Sequence, residues 1–257
     1  MSDYPPIAVV GIGGIFPGAP DLDVFWHNIT HRVESIREVP EDRWSVPPAA
    51  VVSPRPSPDM AFSSRAGLVD PVAIDPKAWR LDPALARALD PMYSLVLGAG
   101  HAAFSDCAAA AIDRARTGVF LAAIALPTDA SSGIAQEILG RSAMERLFQG
   151  SDGGTLLPPA MPLDQHRCLG ARVTSLPGAL LAHSLGLGGG SLTLDAACAS
   201  SIYAVKLACD ELRAGRLDAA LAGGVSRPDS LYTQIGFSQL RALSPSGRCA
   251  PFDATAD

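Results

Sequence analysis

The stretch SLTLDAACASSIYAVKLACDELRAG, Ser191 to Gly215, decides the reading of the fold. It opens as a short β-type run, SLTLDAA, and passes through small residues around Cys198. A helical pattern follows at once, over Ala199 to Ala214. Within it Ile202, Val205, Cys209 and Leu212 recur at three- and four-residue spacing, with Ala208 on the same side. Lys206, Asp210, Glu211 and Arg213 take the polar positions, and Gly215 is placed to stop the helix. The pattern puts Cys198 at a helix N-terminus, where a strand has just ended.

Outward from this stretch the chain alternates strands and helices. LDAALAGGV (Leu217 to Val225) and TGVFLAAIAL (Thr117 to Leu126) read as apolar strands, and Ile7 to Val10 as a buried strand running into a glycine-rich turn. DLDVFWHNI reads as a helix capped by Asp21 or Asp23, with Phe25 and Trp26 facing inward. Dense prolines from Val39 to Pro58 predict a long surface loop. LARALDPMYSLVLGAGHAAFSDCAAAAIDRA is mainly helical, with Pro91 setting a start and Gly98 and Gly100 as weak points. A helical piece spans about Ser132 to Phe148 before a Gly/Pro-rich loop. ARVTSLPGALLAHSLGL is a helix interrupted near Pro177 and stopped by Gly188 to Gly190. The remainder after Val225 reads as loop-rich. Alternating strands and helices imply an α/β fold with a largely buried sheet.

Composition narrows the function. With 257 residues, 48% of them hydrophobic and 18% charged, the chain is globular with a generous interior. A net charge of −6 without a basic run argues against nucleic acid or an anionic membrane as partner. No apolar stretch reaches the ~18 residues of a membrane span, and no leader with a cleavage site is visible, so a cytoplasmic location is expected. Five widely spaced cysteines without a C-x-x-C pair suggest neither a disulfide framework nor a metal site.

A thiol reacts as its thiolate, and the free amides and partial positive charge of a helix start favour an anion. The same N–H groups can hold the oxyanion that forms when a thioester is attacked. A tight strand-to-helix turn is the nucleophile elbow, where crowding demands small neighbours. Here they are Ala196, Ala197, Ala199, Ser200 and Ser201. Spacing alone leaves two readings open: a nucleophile at the elbow, or a buried structural cysteine at a strand end. The other four cysteines lie in apolar or loop segments without such a turn and read as structural or incidental.

Longer motifs resolve more. TLDAACASS, then YAVKLACDELRAGRLDAALAGGV, then GFSQLRALSPSGRCAPFDATAD resembles the β-ketoacyl synthase family, in the form found in polyketide synthases and multidomain fatty-acid synthases. IAVVGIGGIFPGAPDLDVFWHNI with REVPEDRW, DPKAW, LDPMYSLVL and TGVFLAAIA extend the resemblance over essentially the whole chain, strongest from Gly186 onward and weakest from Thr128 to Ala171. The resemblance implies a thiolase-like fold built of two α/β halves, of which residues 1–257 form the first. It makes Cys198 the acyl-accepting nucleophile and its own N–H an oxyanion donor. Phe237 matches a position near the acyl pocket, with plain core packing as the other reading. The implied reaction is a decarboxylative Claisen condensation, its substrates carried on the phosphopantetheine of an acyl carrier protein. No bound cofactor and no metal are implied, and a homodimer is.

The family's two catalytic histidines stand in motifs that match none of His27, His31, His101, His166 or His183. His101 and His183 read as packed side chains, the other three as surface or loop residues. A half without its companion is expected to expose a large apolar patch and to self-associate. A non-catalytic scaffold or dimerisation fragment is therefore the alternative reading. Two rivals fail on the residues. VVGIGGIFPG puts Phe16 where a dinucleotide fingerprint needs its third glycine, with Pro17 following at once. A self-contained hydrolase of the order nucleophile, acid, histidine needs a histidine after Cys198, and there is none.

Overall fold

The computed structural model describes residues 5–44, 46–55, 57–70, 72–107, 112–147, 164–227 and 230–257. In chain order the first elements are α1 (Leu22–Thr30), β1 (Ile36–Glu38), α2 (Pro48–Val51), β2 (Arg65–Gly67), α3 (Pro83–Ala88) and α4 (Pro91–Asp106). There follow β3 (Thr117–Ala123), α5 (Asp129–Ala135), a π turn (Gln136–Gly140), α6 (Arg141–Leu147), α7 (Gln165–Gly170) and α8 (Leu176–Leu185). The last are β4 (Ser191–Leu194), α9 (Ser200–Arg213), β5 (Ala219–Val225) and α10 (Leu231–Gln239). They divide into two compact units: residues 1–7, 73–97 and 112–225 form the first, and residues 8–72, 98–111 and 226–257 the second.

The first unit is built on a three-stranded parallel sheet of order β4-β3-β5. Central β3 is buried at every residue, as an apolar run between two parallel neighbours must be. Alternation of side chains gives the sheet two faces. On one, Phe120 and Ala122 join Ala204 and Ala208 of α9 and Leu217, with Leu194, Leu207, Leu212 and Ala220 packed around them. On the other lies α8, where Gly178 N–H donates to Thr193 Oγ1 at 3.0 Å. A Cβ at Gly178 would stand 2.9 Å from Leu192 O, so only glycine lets this helix approach β4 so closely. The sheet thus carries helices on both faces, as the α/β reading requires.

The second unit holds the antiparallel pair β1–β2 and a cluster of Val39, Trp44 and Leu68, with Val51, Val52, Ala66 and Leu231 against it. Helix α1 starts where Asp21 Oδ1 accepts Val24 N–H at 2.9 Å, which selects Asp21 over Asp23 as its cap. Helix α10 buries Gln234 and Ser238 and keeps Gln239 exposed, and all three bind backbone. Ser238 Oγ accepts Phe62 N–H, Gln234 Nε2 donates to Ser63 O and Arg65 O, and Gln239 Nε2 donates to Ser57 O and Met60 O.

Several expectations are corrected. Ile7 to Val10 form no strand; Val9 is 82% exposed, because β propensity makes no strand without a ladder partner for the backbone groups. Trp26 is 67% exposed, while Phe25, one helical step away, stacks on Phe16 with centroids 4.0 Å apart. The segment from Val39 to Pro58 contains α2, and both Val39 and Trp44 are buried. Pro177 begins α8 instead of interrupting it, since the first turn needs no N–H there, and the helix ends at Gly186. The region after Val225 contains α10. In α9 the face turned inward is Ala204 and Ala208, and Ile202 (71%) and Val205 are exposed. The piece expected from Ser132 to Phe148 starts at Asp129 and is described to Leu147 with a π turn inside it; Phe148 and the loop after it lie outside the described residues.

Candidate active site

Strand β4 ends at Leu194 and α9 begins at Ser200. The residues between make one 3₁₀ turn, Ala197–Ala199, with Cys198 at its centre and exposed. Ala197 adopts φ +49°, a left-handed conformation that costs an L-residue about 1–2 kcal/mol. That backbone reversal is what lets the chain leave the sheet and enter the helix within a few residues. The crowding expected from the sequence is not there: Ala197, Ala199 and Ser201 are exposed, and of the small neighbours Ser200 alone is buried.

Two polar side chains brace the turn. Asp195 Oδ1 accepts Ala197 N–H at 2.9 Å, and its Oδ2 accepts Ala125 N–H at 2.8 Å, just past the end of β3. These two backbone donors, Ala125 foremost, hold the Asp195 carboxyl below the usual carboxylate range. Ser200, buried, accepts Ala196 N–H at 2.8 Å on Oγ and donates to Ala197 O at 2.6 Å. Ala199 N–H donates to Ala196 O. Of the amides from Ala196 to Ala199, that of Cys198 alone takes no part in these bonds. Sequence reasoning missed Asp195 and Ser200. The signals were an Asx turn in LDAA and a serine at the first helical residue.

The other thiols differ in setting. Cys107, Cys168 and Cys209 are half-buried and Cys249 is exposed; all five are free. His183 is exposed, with Nε2 3.1 Å from Arg80 O, against the expectation of a packed side chain, because α8 buries its other faces. His101 is half-buried on α4. His27 and His31 are exposed, and half-buried His166 lies 3.7 Å from Asp82. Among the described residues no group of three or more His, Cys, Asp or Glu side chains is placed to hold a metal ion. Phe237 belongs to the second unit, on α10, and lines an open cavity of about 600 Å³ with Leu68, Gln234, Leu243, Arg65 and Arg248.

An exposed thiol on a strand-to-helix elbow, at the end of a parallel sheet covered by helices on both faces, defines a class, the α/β proteins with an elbow thiol, and likeness to the solved ketosynthases named below makes the fold thiolase-like. Within it the chain belongs to the β-ketoacyl synthase family, whose N-terminal domain matches residues 5–257. It is 33% identical over 256 residues to a phenolphthiocerol/phthiocerol polyketide synthase of Mycobacterium tuberculosis, a match that spans 98% of this chain and 13% of that protein. It is 31% identical to the PKS-NRPS hybrid synthetase ATPKS of Aspergillus niger, over 97% of this chain and 12% of the relative. The chain therefore spans roughly an eighth of these relatives' length. Among solved structures, the PfaC ketosynthase–chain length factor superimposes with a TM-score of 0.81 at 29% identity, over 96% of this chain and 27% of that one. The oxazolomycin ketosynthase domain of Streptomyces albus JA3453 gives 0.71 at 27%, over 96% and 40%. No described helix is long and apolar enough to cross a membrane.

Proposed function

We propose that this chain supplies the acyl-accepting part of a β-ketoacyl synthase site, with Cys198 as nucleophile. The observation that carries the reading is the elbow: an exposed thiol between a left-handed Ala197 and a buried Ser200, its own N–H outside the bonds that brace the turn. In the first step Cys198 Sγ attacks the carbonyl carbon of an acyl thioester on phosphopantetheine. The S–C bond forms, the Cys198 N–H stabilises the oxyanion, and the pantetheine thiol leaves with the proton. In the second, malonyl on an acyl carrier protein loses carbon dioxide. The enolate carbon attacks the Cys198 thioester, and Cys198 leaves as thiolate while a β-ketoacyl carrier is released. The groups that assist this second step are, by family resemblance, two histidines that no residue of this chain matches. No metal enters either step.

Phe237, on the wall of an apolar cavity, is the proposed acyl-side residue. The partners proposed are a carrier protein and a second copy of the chain, in the cytoplasm. Pairing of copies is supported by the exposed apolar residues of α9 (Ile202, Tyr203, Val205) and by Leu192, exposed on β4, an edge strand of the sheet. The same face supports the alternative, a scaffold or dimerisation role without catalysis.

Labelling separates the two. The chain is treated with an acyl-pantetheine or chloroacetamide probe and the adduct mapped by peptide mass. Cys249 is also exposed, so it serves as the internal standard for mere accessibility. Modification of Cys198 well ahead of Cys249, abolished by Cys198→Ala, is the result expected of a nucleophile. Equal labelling of the two would leave the scaffold reading.

A further inference from the structure

The cavity of about 600 Å³ on which Phe237 lies belongs wholly to the second unit, and its size is within the range of small-molecule sites. Ile36 of β1, Leu68 just past β2, Phe237 of α10 and Leu243 give it apolar walls. Gln234, only 8% exposed, is set among them. Its Nε2 donates to Ser63 O at 3.0 Å and to Arg65 O at 3.3 Å, so both amide hydrogens are used. Its Oε1 accepts from no described residue. Nor is it sealed in protein: the described buried side-chain atoms without a partner are Arg43 Nε and Asp90 Oδ2. Oε1 therefore opens on the cavity that Gln234 lines, an acceptor waiting for a donor.

The lining carries two guanidinium side chains, Arg65 and Arg248, against one carboxylate side chain, Asp257. Asp257 accepts the Ser244 hydroxyl, and Arg65 donates to Ile36 O at 3.1 Å with Glu38 4.0 Å from its Nε. Arg248 is exposed, and its guanidinium has no hydrogen bond or ion pair among the described residues. An anion is the group it fits.

We propose that this cavity binds an amphiphilic carboxylate bearing an amide N–H, of the N-acyl amino acid class. The acyl chain lies against Phe237, Leu68 and Leu243, the N–H donates to Gln234 Oε1, and the carboxylate pairs with Arg248. Each part of the ligand answers one observation. A plain fatty acid leaves Oε1 unmet, and an uncharged amide leaves Arg248 unmet. The site uses no thiol and does not rest on the reaction proposed at Cys198.

The test is a calorimetric titration of the full chain with N-octanoylglycine, below the concentration at which the probe forms micelles. Two analogues each remove one group: the methyl ester lacks the charge, and N-octanoylsarcosine lacks the N–H. The acid is expected to bind about tenfold more tightly than the ester and about fivefold more tightly than the sarcosine compound. Arg248→Ala, at an exposed position, is expected to weaken the acid about tenfold and to leave the ester unchanged. Gln234 is tested from the ligand's side because its Nε2 also holds two backbone carbonyls. Absence of binding, equal affinity for the acid and either analogue, or an Arg248→Ala chain that binds the acid like wild type overturns the proposal. A second measurement needs no variant. Cys249 also lines the cavity, so N-octanoylglycine is expected to slow its alkylation and not that of Cys198. An unprotected Cys249, or equal slowing of both thiols, overturns the placement.

Discussion

The backbone N–H of Ala125 donates to Asp195 Oδ2 at 2.8 Å, so the carboxylate that closes β4 is tied to the end of β3, 70 residues earlier. Its other oxygen holds Ala197, the residue that turns the chain toward Cys198. The geometry of the thiol thus depends on a charge. With the folded-state carboxyl titrating below its unfolded value, the stability it contributes is full above the ordinary carboxylate range and is lost as pH falls through the lower folded value. Asp195→Asn is expected to flatten the decline of melting temperature in acid relative to wild type and to slow Cys198 labelling at neutral pH. Parallel thermal melts from neutral pH to below about pH 4 check the first, and adduct kinetics the second.

Ser200→Ala leaves Ala196 N–H without its acceptor, while Ala197 O keeps the backbone N–H of residue 200. The expected loss is about 1–3 kcal/mol of unfolding free energy, read from the denaturant midpoint. Cys198 is expected to lose its advantage over Cys249 in labelling at the same time.

Ala197 holds its left-handed backbone at a cost in strain. Ala197→Gly is expected to gain up to about 1 kcal/mol, while Ala197→Val loses more than that, because a branched side chain tolerates this conformation worst. Chemical denaturation of both variants decides it; an equal effect of the two would show that φ at this position is not the controlling quantity.

Much of this was legible in advance, and the failures have definite causes. The apolar run of β3 and the strand–helix sequence around Cys198 could be read because burial on both faces and a 3.6-residue period leave direct marks. The rotation of α9 about its axis could not. Ala204 and Ala208 define the inward face through their smallness, which lets α9 lie close on Phe120 and Ala122, whereas the bulkier Ile202 and Val205 drew the reading to the wrong side. Helix α10 escaped for a related reason: it turns Thr233, Gln234 and Ser238 inward, so its polarity pattern is reversed. Asp195 went unread because its work is bonding to backbone, which side-chain chemistry does not announce.

Gly178→Ala sets a Cβ against Leu192 O at 2.9 Å and Thr193 Oγ1 at 3.0 Å. Pushing α8 off β4 is expected to cost about 1–3 kcal/mol, measured as a lower melting temperature or denaturant midpoint. A variant as stable as wild type would mean that α8 can shift without strain.

The exposed face of α9 predicts a solution behaviour. Replacing Ile202 and Val205 with Ser is expected to lower the apparent mass of the chain in light scattering while changing stability by no more than about 0.5 kcal/mol per site, as for other surface positions. An unchanged mass would remove this face from any account of assembly.

The polar side chains on α10 have a consequence for how the protein is made. Phe62 waits for Ser238 across 176 residues of chain, and Ser57 for Gln239 across 182. A ribosome releases the early segment long before these partners exist, so the second unit cannot close until translation has passed residue 239. Contacts of such sequence separation slow folding, and until they form the partners of Ser238 and Gln239 around Phe62 and Ser57 stay unsatisfied and open to misassociation.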